Sequence, residues 1–490
     1  MTAATDRPQP ADRRLLWVIL ILAAALRLAA VDPFGMHHPD ELFQYIEQAH
    51  RLATGKAIIP WEYRLGMRSW LVPIILSAPM RLGAWIDPAG NLDLLLPRYL
   101  VALIGVVPIW AAWRIGARIS HGAAIMAAFV MATWFEAIGF SAHVLTEPMA
   151  AAAFMAGVAL AEPRARAARW RWAGAAFALA VVLRFHYAPA IGLYAALIAG
   201  RNRANWLGLA IGALALGIAS GIIDLAMGQS PFGWVVENVR QNIINHRAAD
   251  FGVTGPGAFL GMLAHQWGVL GAAIIVMAIV GAVRFPALAA AAIVNLGLHS
   301  LIAHKEYRFV WISVETILLL AAIGSALSAA RLAARRPGDQ RLIWGVTALL
   351  WLVASIGLGQ TRPMEQDRAH DRPVIALARA AGALPGLCGL ALNDVEYWAA
   401  GYAMVRKPAP IYYPSAVDPH DTDALTRWRG AYNVILSPAR QASMIPTGYA
   451  STACLGSGDG KACLYRRPGS CDATGAEPIL LQRLLERRGL

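Results

Sequence analysis

Long apolar runs alternate with short polar segments along residues 1–360. Many of the runs approach the roughly 20 apolar residues that a helix needs to cross the hydrocarbon core of a bilayer. The pattern predicts an all-α polytopic membrane bundle of about eleven transmembrane helices. We place these helices at 15–31, 98–115, 121–137, 148–161, 173–183, 188–200, 205–227, 258–283, 286–303, 309–330 and 342–359.

After residue 360 the apolar runs become shorter and change their period. They predict helices at 374–383 and 395–404 and strands at 388–392, 411–413 and 433–436, which together make a small soluble α/β domain over 361–490. All four cysteines lie in this region, at Cys388, Cys454, Cys463 and Cys471. If the region lies outside the cytoplasm, one or two disulfides are expected; if it lies inside, the cysteines are free thiols.

The composition agrees with a membrane protein, because 58% of the residues are hydrophobic and only 15% are charged. A soluble chain carries roughly 45–50% apolar and about 25% charged residues. The net charge of +13 could indicate a nucleic-acid partner, but such proteins gather their basic residues on one soluble face. Here the basic residues stand in short loops between apolar runs, so nucleic-acid binding is not expected.

The basic loops also predict an orientation, because cytoplasmic loops are enriched in Lys and Arg. The segment from Trp70 to Trp85 is ambiguous: it could cross the membrane or lie along its outer surface. The second alternative puts every basic cluster on the cytoplasmic side, namely Arg13/Arg14, Arg114/Arg118, Arg164 to Arg171, Arg201/Arg203 and Arg331 to Arg341. We therefore expect an inner (plasma) membrane protein with an uncleaved first helix and a long first loop, 32–97, on the opposite face.

That first loop carries an unusual density of acidic, imidazole and amide side chains next to a membrane span. Pro39-Asp40-Glu41 could simply begin a helix, since Pro and acidic residues suit a first turn. Capping does not account for the polar residues that follow, however. The spacing of Asp40, Gln44 and Glu47 puts all three on one face of an α-helix, where they could point into a common cleft.

Cationic side chains interrupt apolar runs further along the chain, on the same predicted face. His304, Lys305 and Arg308 form one such group, and Arg184 and His186 form another. They could anchor span ends at the interface, or they could bind an anionic headgroup. Glu147, in Thr146-Glu147-Pro148, has a sufficient structural explanation in the first turn of a helix, and a substrate contact is the alternative.

Two of these motifs resemble glycosyltransferase family 22, the polyprenyl-phosphate-mannose-dependent mannosyltransferases of GPI-anchor and N-glycan assembly. The resemblance lies in the order and spacing of the polar residues, and Ile59-Pro60 departs from the family, which has Leu-Thr there. The matching residues are His38-Pro39-Asp40-Glu41 with Phe43-Gln44, then Glu47, His50, Gly55, Trp61-Glu62, Arg68-Ser69 and His304-Lys305-Glu306-Tyr307-Arg308-Phe309.

Similarity to this family implies the GT-C fold and an inverting transfer of a hexose, with mannose the expected sugar, from a lipid-phosphate donor to a hydroxyl of a lipid or glycan. A carboxylate must take the acceptor proton, which we assign to Asp40 with Glu41 as the alternative. Cations stabilise the departing phosphate, and for that role we name His304, Lys305, Arg308 and Arg184. The expected substrate contacts are His38, Gln44, Glu47, Trp61, Glu62, Arg68, His186 and Glu147.

No cofactor and no metal are expected, because no glycine-rich phosphate loop occurs and relatives of the family are not usually metal-dependent. Two other functions fit parts of the pattern. A transporter or flippase of lipid-linked saccharide would use the same charged groups to bind a headgroup, although it should carry polar residues near the middle of broken helices. A membrane scaffold without catalysis would not need the Asp40-Glu41 pair.

Overall fold

The computed structural model describes residues 10–162, 165–361, 371–417, 421 and 423–489. The chain forms two compact units. One unit contains residues 1–31 and 99–362, and the other contains residues 32–98 and 363–490. The first loop thus groups with the C-terminal region, whereas the predicted boundary between residues 360 and 361 separated them. Arg164 of the predicted basic cluster lies outside the described residues.

The regular structure of the first unit, among its described residues, is helical. Its α-helices are Pro10–Ala29, Val107–Gly116, His121–Thr133, Phe135–Ser141, Thr146–Leu160, Ala167–Leu183, Ala188–Ala199, Arg203–Ala226, Gly233–Val239, Ala258–Trp267, Leu270–Ala282, Pro286–Ser300, Trp311–Arg335 and Gln340–Thr361. Helix Leu92–Ile104 passes from the other unit into this one. A π-helix, Arg240–Ile244, and short 3-10 turns at Phe185–Tyr187, Arg247–Phe251, Tyr307–Val310 and Pro337–Asp339 complete the set.

Each predicted span overlaps one or more of these helices. By length and apolar composition, four helices in the described chain could cross a membrane, and six could if each sharply bent pair is one span. The long ones are Leu92–Gly116, Arg203–Ala226, Tyr307–Arg335 and Pro337–Thr361. The fold is therefore that of a multi-pass membrane protein, while the number eleven stays a prediction.

The bend after Thr133 shows how a broken helix keeps its backbone groups satisfied. Helices His121–Thr133 and Phe135–Ser141 meet at 56°, which leaves carbonyl groups at the end of the first helix without partners in the helix. The Arg27 guanidinium donates to the carbonyls of Met131 and Ala132, both at 3.0 Å. A buried arginine in the first helix therefore caps the break.

Two glycines allow a close helix contact in this unit. A Cβ atom at Gly281 would lie 2.0 Å from the carbonyl oxygen of Leu320, and one at Gly324 would lie 1.9 Å from that of Met277. Helices Leu270–Ala282 and Trp311–Arg335 thus touch backbone to backbone, as small residues permit in membrane bundles.

The second unit contains a five-stranded sheet. Its strands are β1 (Leu390–Leu392), β2 (Ile411–Tyr412), β3 (Val434–Pro438), β4 (Ala450–Leu455) and β5 (Ala462–Arg466), in the order β2-β1-β3-β5-β4. β2, β1 and β3 run parallel, and β5 and β4 complete an antiparallel edge. Its α-helices are Glu47–Thr54, Trp61–Arg64, Leu71–Ile86, Arg372–Ala383, Tyr402–Val405, Ala424–Arg427 and Leu481–Arg487, with a π-helix at Glu41–Ile46. Its 3-10 turns are Tyr397–Ala399, Pro414–Ala416, Ala439–Met444, Gly458–Gly460 and Glu477–Ile479.

The predicted α/β character of the C-terminal region agrees with this sheet. The single helix predicted over 395–404 is wrong, because a 3-10 turn at Tyr397–Ala399 and a short helix at Tyr402–Val405 are separated by extended residues. Two disulfides, Cys388–Cys471 and Cys454–Cys463, join the four cysteines.

Buried polar contacts explain why the first loop belongs to this unit. Asp93, near the end of the loop, forms ion pairs with Arg379 and Arg406. The side chain of Gln482 exchanges two hydrogen bonds with the backbone of Ile59. These contacts join residues that are about three to four hundred positions apart in the chain.

Candidate active site

The polar segment after the first helix folds into a tight turn that enters the π-helix Glu41–Ile46. Glu41 is fully buried. Its carboxylate accepts a hydrogen bond from the backbone N–H of His37 at 2.6 Å and lies 3.4 Å from that of His38. Glu41 therefore fixes the turn that precedes it, which is the orienting role that capping predicts.

Asp40 has a different environment from its neighbour. Its side chain is 20% exposed, so the carboxylate can meet a ligand. The Gln44 amide donates to Asp40 Oδ1 at 2.8 Å, and His38 Nδ1 lies 3.4 Å from the same oxygen. The backbone N–H of Asp40 also donates to His38 Nδ1 at 3.2 Å. Asp40 is thus a positioned carboxylate that ligands can reach.

Gln44 links Asp40 to a second carboxylate. Its amide nitrogen donates to Glu62 Oε1 at 2.7 Å as well as to Asp40. Arg68 lies on the other side of Glu62, with its guanidinium nitrogen 3.7 Å from Oε1. Burial raises the pKa of Glu62 and Asp40 raises it further, while the charge of Arg68 lowers it. The structure therefore brings these four predicted site residues together, while their role in a site stays a prediction.

Glu47 does not join this group, and the expected common face of Asp40, Gln44 and Glu47 is wrong. That expectation assumed an α-helix, whereas residues 41–46 form a π-helix with a different number of residues per turn. The fully buried carboxylate of Glu47 accepts from the backbone N–H groups of Ile58, Tyr402 and Ala403 at 2.7 to 2.8 Å. Burial raises the pKa of Glu47, and these hydrogen bonds oppose the rise.

Trp61 opens the short helix that carries Glu62. It is buried, and the extended Pro60 before it sets the start of that helix. Trp61 thus directly precedes Glu62 in the chain, and His38, whose side chain is 30% exposed, lies beside Asp40.

The first unit contains a separate group of charges, centred on the buried Glu147. One oxygen of Glu147 lies 3.0 Å from Arg184 and 3.2 Å from Arg308. Both guanidinium groups also pack over the ring of Phe309, with their carbons 5.2 Å from its centroid. Two arginines thus converge on one carboxylate and one aromatic ring.

Glu306 completes this group. It accepts from Arg308 Nε at 2.5 Å, and its other oxygen lies 2.8 Å from His304 Nε2. Within the described part of the chain, Arg184 Nε is buried and has no hydrogen-bond partner. The arrangement leaves donor capacity for an additional anion, because arginine presents five N–H groups.

Lys305 and His186 have other contacts. The Lys305 ammonium donates to the backbone carbonyls of Ile302 at 2.5 Å and Thr254 at 2.9 Å. Its third N–H bond is the one that could reach a ligand. The ring of His186 packs against Phe185 and lies 6.0 Å from the ring of His299.

One buried polar group, centred on Glu136, was not predicted from the sequence. The buried Glu136 accepts from the indole N–H groups of Trp134 and Trp267 at 2.7 and 2.8 Å, and from the Tyr307 hydroxyl at 2.6 Å. Trp134 and Trp267 each stand at the break of a bent helix pair, and Tyr307 directly precedes Arg308. Glu136 therefore connects both breaks to the residue beside the arginine. Its position inside an apolar run was the available signal, since a carboxylate there requires a partner.

Neither group contains a metal site in the described residues, where no three His, Cys, Asp or Glu side chains gather closely enough to hold an ion. The expectation of metal independence stays a prediction. The structure thus forms two polar groups, one in each unit: His38, Asp40, Gln44, Glu62 and Arg68, and Glu147, Arg184, His304, Glu306 and Arg308.

Several solved structures have a fold similar to that of this chain. ArnT from Cupriavidus metallidurans, bound to undecaprenyl phosphate, superposes with a TM-score of 0.63 over 93% of this chain and 98% of its own, at 13% identity. The oligosaccharyltransferase of Archaeoglobus fulgidus, with Zn and sulfate, gives 0.54 over 87% and 68%, at 14% identity. Mycobacterial arabinofuranosyltransferase AftD gives 0.52 over 94% and 42%, at 16% identity. At these identities the likeness shows the fold alone, which is GT-C as predicted.

Curated proteins named GPI mannosyltransferase 3 match shorter stretches. The Drosophila melanogaster protein is 32% identical over 93 residues, which are 19% of this chain and 16% of that protein. The Yarrowia lipolytica protein is 31% identical over 107 residues, 21% of each chain. The protein from Trypanosoma brucei brucei is 35% identical over 75 residues, 15% of this chain and 10% of its own. The match therefore spans about a tenth to a fifth of each relative.

The sequence profile of the Alg9-like mannosyltransferase family matches residues 16–362. That range covers most of the chain and includes both motifs on which the resemblance rests, His38 to Glu41 and His304 to Phe309. The resemblance drawn from those motifs is confirmed. The chain belongs to the Alg9-like mannosyltransferase family.

Proposed function

We propose that this protein is an inverting mannosyltransferase that takes its sugar from a polyprenyl-phosphate-linked donor. The acceptor is a hydroxyl of a lipid-linked or other glycan on the non-cytoplasmic face of the membrane. The observation that carries the proposal is the partly exposed carboxylate of Asp40, which Gln44 holds at 2.8 Å. Membership of a mannosyltransferase family supports the choice of mannose.

The proposed reaction is a single displacement at the anomeric carbon. The acceptor oxygen bonds to that carbon while the bond from the carbon to the phosphate oxygen breaks. Asp40 takes the acceptor proton as general base, a role that requires a carboxylate within hydrogen-bond reach of the hydroxyl. Glu41 is the weaker candidate, because its buried carboxylate is engaged by the backbone N–H of His37.

Arg184 and Arg308 are the proposed ligands of the donor phosphate. A guanidinium group matches phosphate oxygens with paired donors. Glu147 and Phe309 keep the two guanidinium groups fixed in the absence of donor. Cations held in place in this way stabilise the negative charge that grows on the leaving phosphate. Lys305 and His304 are the remaining candidates for this role.

The proposed location outside the cytoplasm draws support from the two disulfides, because disulfides persist in oxidising compartments. The basic loops point the same way. A membrane-impermeant thiol reagent tests the orientation. After reduction of intact cells, it should label the C-terminal cysteines, and labelling that requires lysis would overturn the proposed face.

Transfer itself is tested with purified protein in lipid nanodiscs. The protein is incubated with radiolabelled polyprenyl-phosphate mannose and an extract of membrane lipids. Label should appear in a product other than the polyprenyl-phosphate mannose donor. Donor movement between leaflets without any new product would instead favour the transporter or flippase alternative.

A further inference from the structure

A polar cavity of about 180 Å³ lies at one edge of the sheet in the second unit. The parallel strands β1, β2 and β3 all end at this edge. From β1 the chain crosses to β2 on one side of β1, and from β2 it crosses to β3 on the other side. The gap between β1 and β3 is therefore a topological switch point. Ligands of open α/β sheets bind outside the carboxyl ends of the strands at such a point.

The lining residues follow directly from the strand ends. Asp394 and Glu396 come after β1, Tyr413 comes after β2, and Arg440 comes after β3. Lys461 precedes β5, whose antiparallel direction brings its start to the same edge. The cavity is therefore a product of the topology, in which residues next to the ends of four strands each contribute a side chain.

The side chains around the cavity offer both hydrogen-bond donors and acceptors. Its carboxylates are Asp371, Asp394, Glu396 and Asp459, and its cations are Arg440 and Lys461. Some are already oriented, since Arg440 donates to Asp394 at 2.9 Å and Trp398 donates to Asp371 at 3.1 Å. The Tyr413 hydroxyl donates to the Val395 carbonyl at 2.9 Å, which holds the tyrosine ring at the wall.

The combination of carboxylates and cations around the cavity disfavours the binding of simple ions. The four carboxylates outnumber the two cations, so a free phosphate would meet net repulsion. Among the described residues no three acidic or imidazole groups come together as a metal site would require. A sugar hydroxyl suits the cavity because it both donates to carboxylates and accepts from Arg and Lys. The volume is below the roughly 300–1,000 Å³ of sites for drug-sized ligands, and it suits a single sugar ring.

The segment that lines the cavity also reaches the carboxylate group around Asp40. Tyr397 follows Glu396 directly, and its ring stacks on that of Phe43 with centroids 6.0 Å apart. Phe43 precedes Gln44 in the π-helix. A ligand that fixes Glu396 therefore also restrains, through Tyr397 and Phe43, the backbone that carries Gln44. All these residues belong to the second unit.

We infer that the cavity bounded by Asp394, Glu396, Tyr413 and Arg440 is a saccharide-binding site for one hexose unit of the acceptor glycan. The term acceptor rests on the proposed mannosyl transfer. The site itself rests on the cavity, its position at the switch point and its donors and acceptors. The site binds a sugar of the acceptor other than the one whose hydroxyl reacts. It therefore contributes to acceptor binding and not to the displacement.

The test measures binding of α-linked mannobiose, without donor, to the full chain in nanodiscs by saturation-transfer NMR. Two variants alter the cavity. Gly460→Phe adds a ring at a lining position in the turn between β4 and β5, where a Cβ atom meets nothing within 4 Å. Glu396→Gln removes one charge at constant size. Gly430→Phe is the matched control, since its Cβ has ordinary contacts and lies outside the lining.

Both cavity variants should weaken mannobiose binding by about tenfold or more, while Gly430→Phe binds as the wild type does. Thermal unfolding at the wild-type temperature confirms that each variant is folded. Unchanged binding by folded Gly460→Phe overturns the inference and leaves the proposed transfer untouched. Loss of binding in Gly460→Phe supports the site even if no transfer from donor is detected, because the binding measurement contains no donor.

Discussion

The amide nitrogen of Gln44 lies 2.8 Å from a carboxylate oxygen of Asp40. The other N–H bond of the same nitrogen is directed to Glu62, at 2.7 Å. A neutral amide thus holds two carboxylates on either side of it. One of these, Asp40, is partly exposed, and the other is buried beside Arg68. This relationship is the basis for separating a reacting carboxylate from a supporting one.

Gln44→Ala should lower the rate of transfer without abolishing it. The change removes the donor that orients Asp40, yet leaves the carboxylate able to take a proton. Misplacement of a catalytic group by about 1 Å can cost on the order of 10²-fold in rate. Single-turnover transfer at saturating donor measures the effect. Wild-type rates in Gln44→Ala would show that the amide does not position Asp40.

Arg308→Ala should lower turnover and raise the donor concentration that the enzyme requires. Loss of one preorganised donor to a developing negative charge costs about 10²–10³ in kcat in comparable sites. Arg308→Lys should recover part of the rate, because it keeps the charge but loses the paired donors. Arg331→Ala, at an exposed position, is the control. A defect restricted to acceptor binding would contradict the assignment to phosphate.

Arg68→Gln should move the acidic limb of the rate profile to higher pH. The charge of Arg68 lowers the pKa of Glu62, so its removal raises that pKa further. The ionised form of Glu62, which accepts from Gln44, then appears only at a higher pH. The profile of kcat/KM against pH measures the shift, with Arg427→Gln as a surface control. A profile that stays in place or moves to lower pH would contradict the role of Glu62.

Glu47→Ala should destabilise the second unit and have no special effect on the chemical step. It leaves the buried N–H groups of Ile58, Tyr402 and Ala403 without their acceptor. Each unsatisfied buried group costs about 1–3 kcal/mol, so the free energy of unfolding should fall by about 3 kcal/mol or more. Protease sensitivity of residues 371–489 measures the loss. Normal stability with a large loss of kcat would instead indicate that Glu47 acts in the transfer reaction.

Much of the membrane fold follows from the sequence, because a bilayer admits few structures. Apolar runs of sufficient length must be helices there, and each predicted span coincides with helical structure. The motif that begins at His38 and the later motif from His304 to Phe309, in that order, identified the family, since such polar groups are rare next to membrane spans. Asp40, Gln44, Glu62 and Arg68 could be grouped for the same reason.

Other features depend on information that local patterns do not carry. The π-helix after Asp40 turns Glu47 away from Gln44. A π-helix has more residues per turn than an α-helix, and the periodicity of apolar residues in the sequence does not reveal it. β4 was missed because most of its residues are exposed and show no alternation of apolar positions. The pairing of four cysteines has three solutions on sequence grounds, and the fold selects Cys388–Cys471 and Cys454–Cys463. Two of the three donors to Glu136, Trp267 and Tyr307, come from distant segments of the chain.

The most direct measurement of the central claim is single-turnover mannosyl transfer by Asp40→Asn, compared with Glu41→Gln. Asparagine keeps the size of the side chain and one oxygen for Gln44, but it cannot take a proton. Removal of a general base costs about 10²–10⁴ in rate, so Asp40→Asn should lose that factor while binding donor as the wild type does. Glu41→Gln should lose less, since Glu41 fixes the turn at His37. Transfer by Asp40→Asn at the wild-type rate would contradict the account.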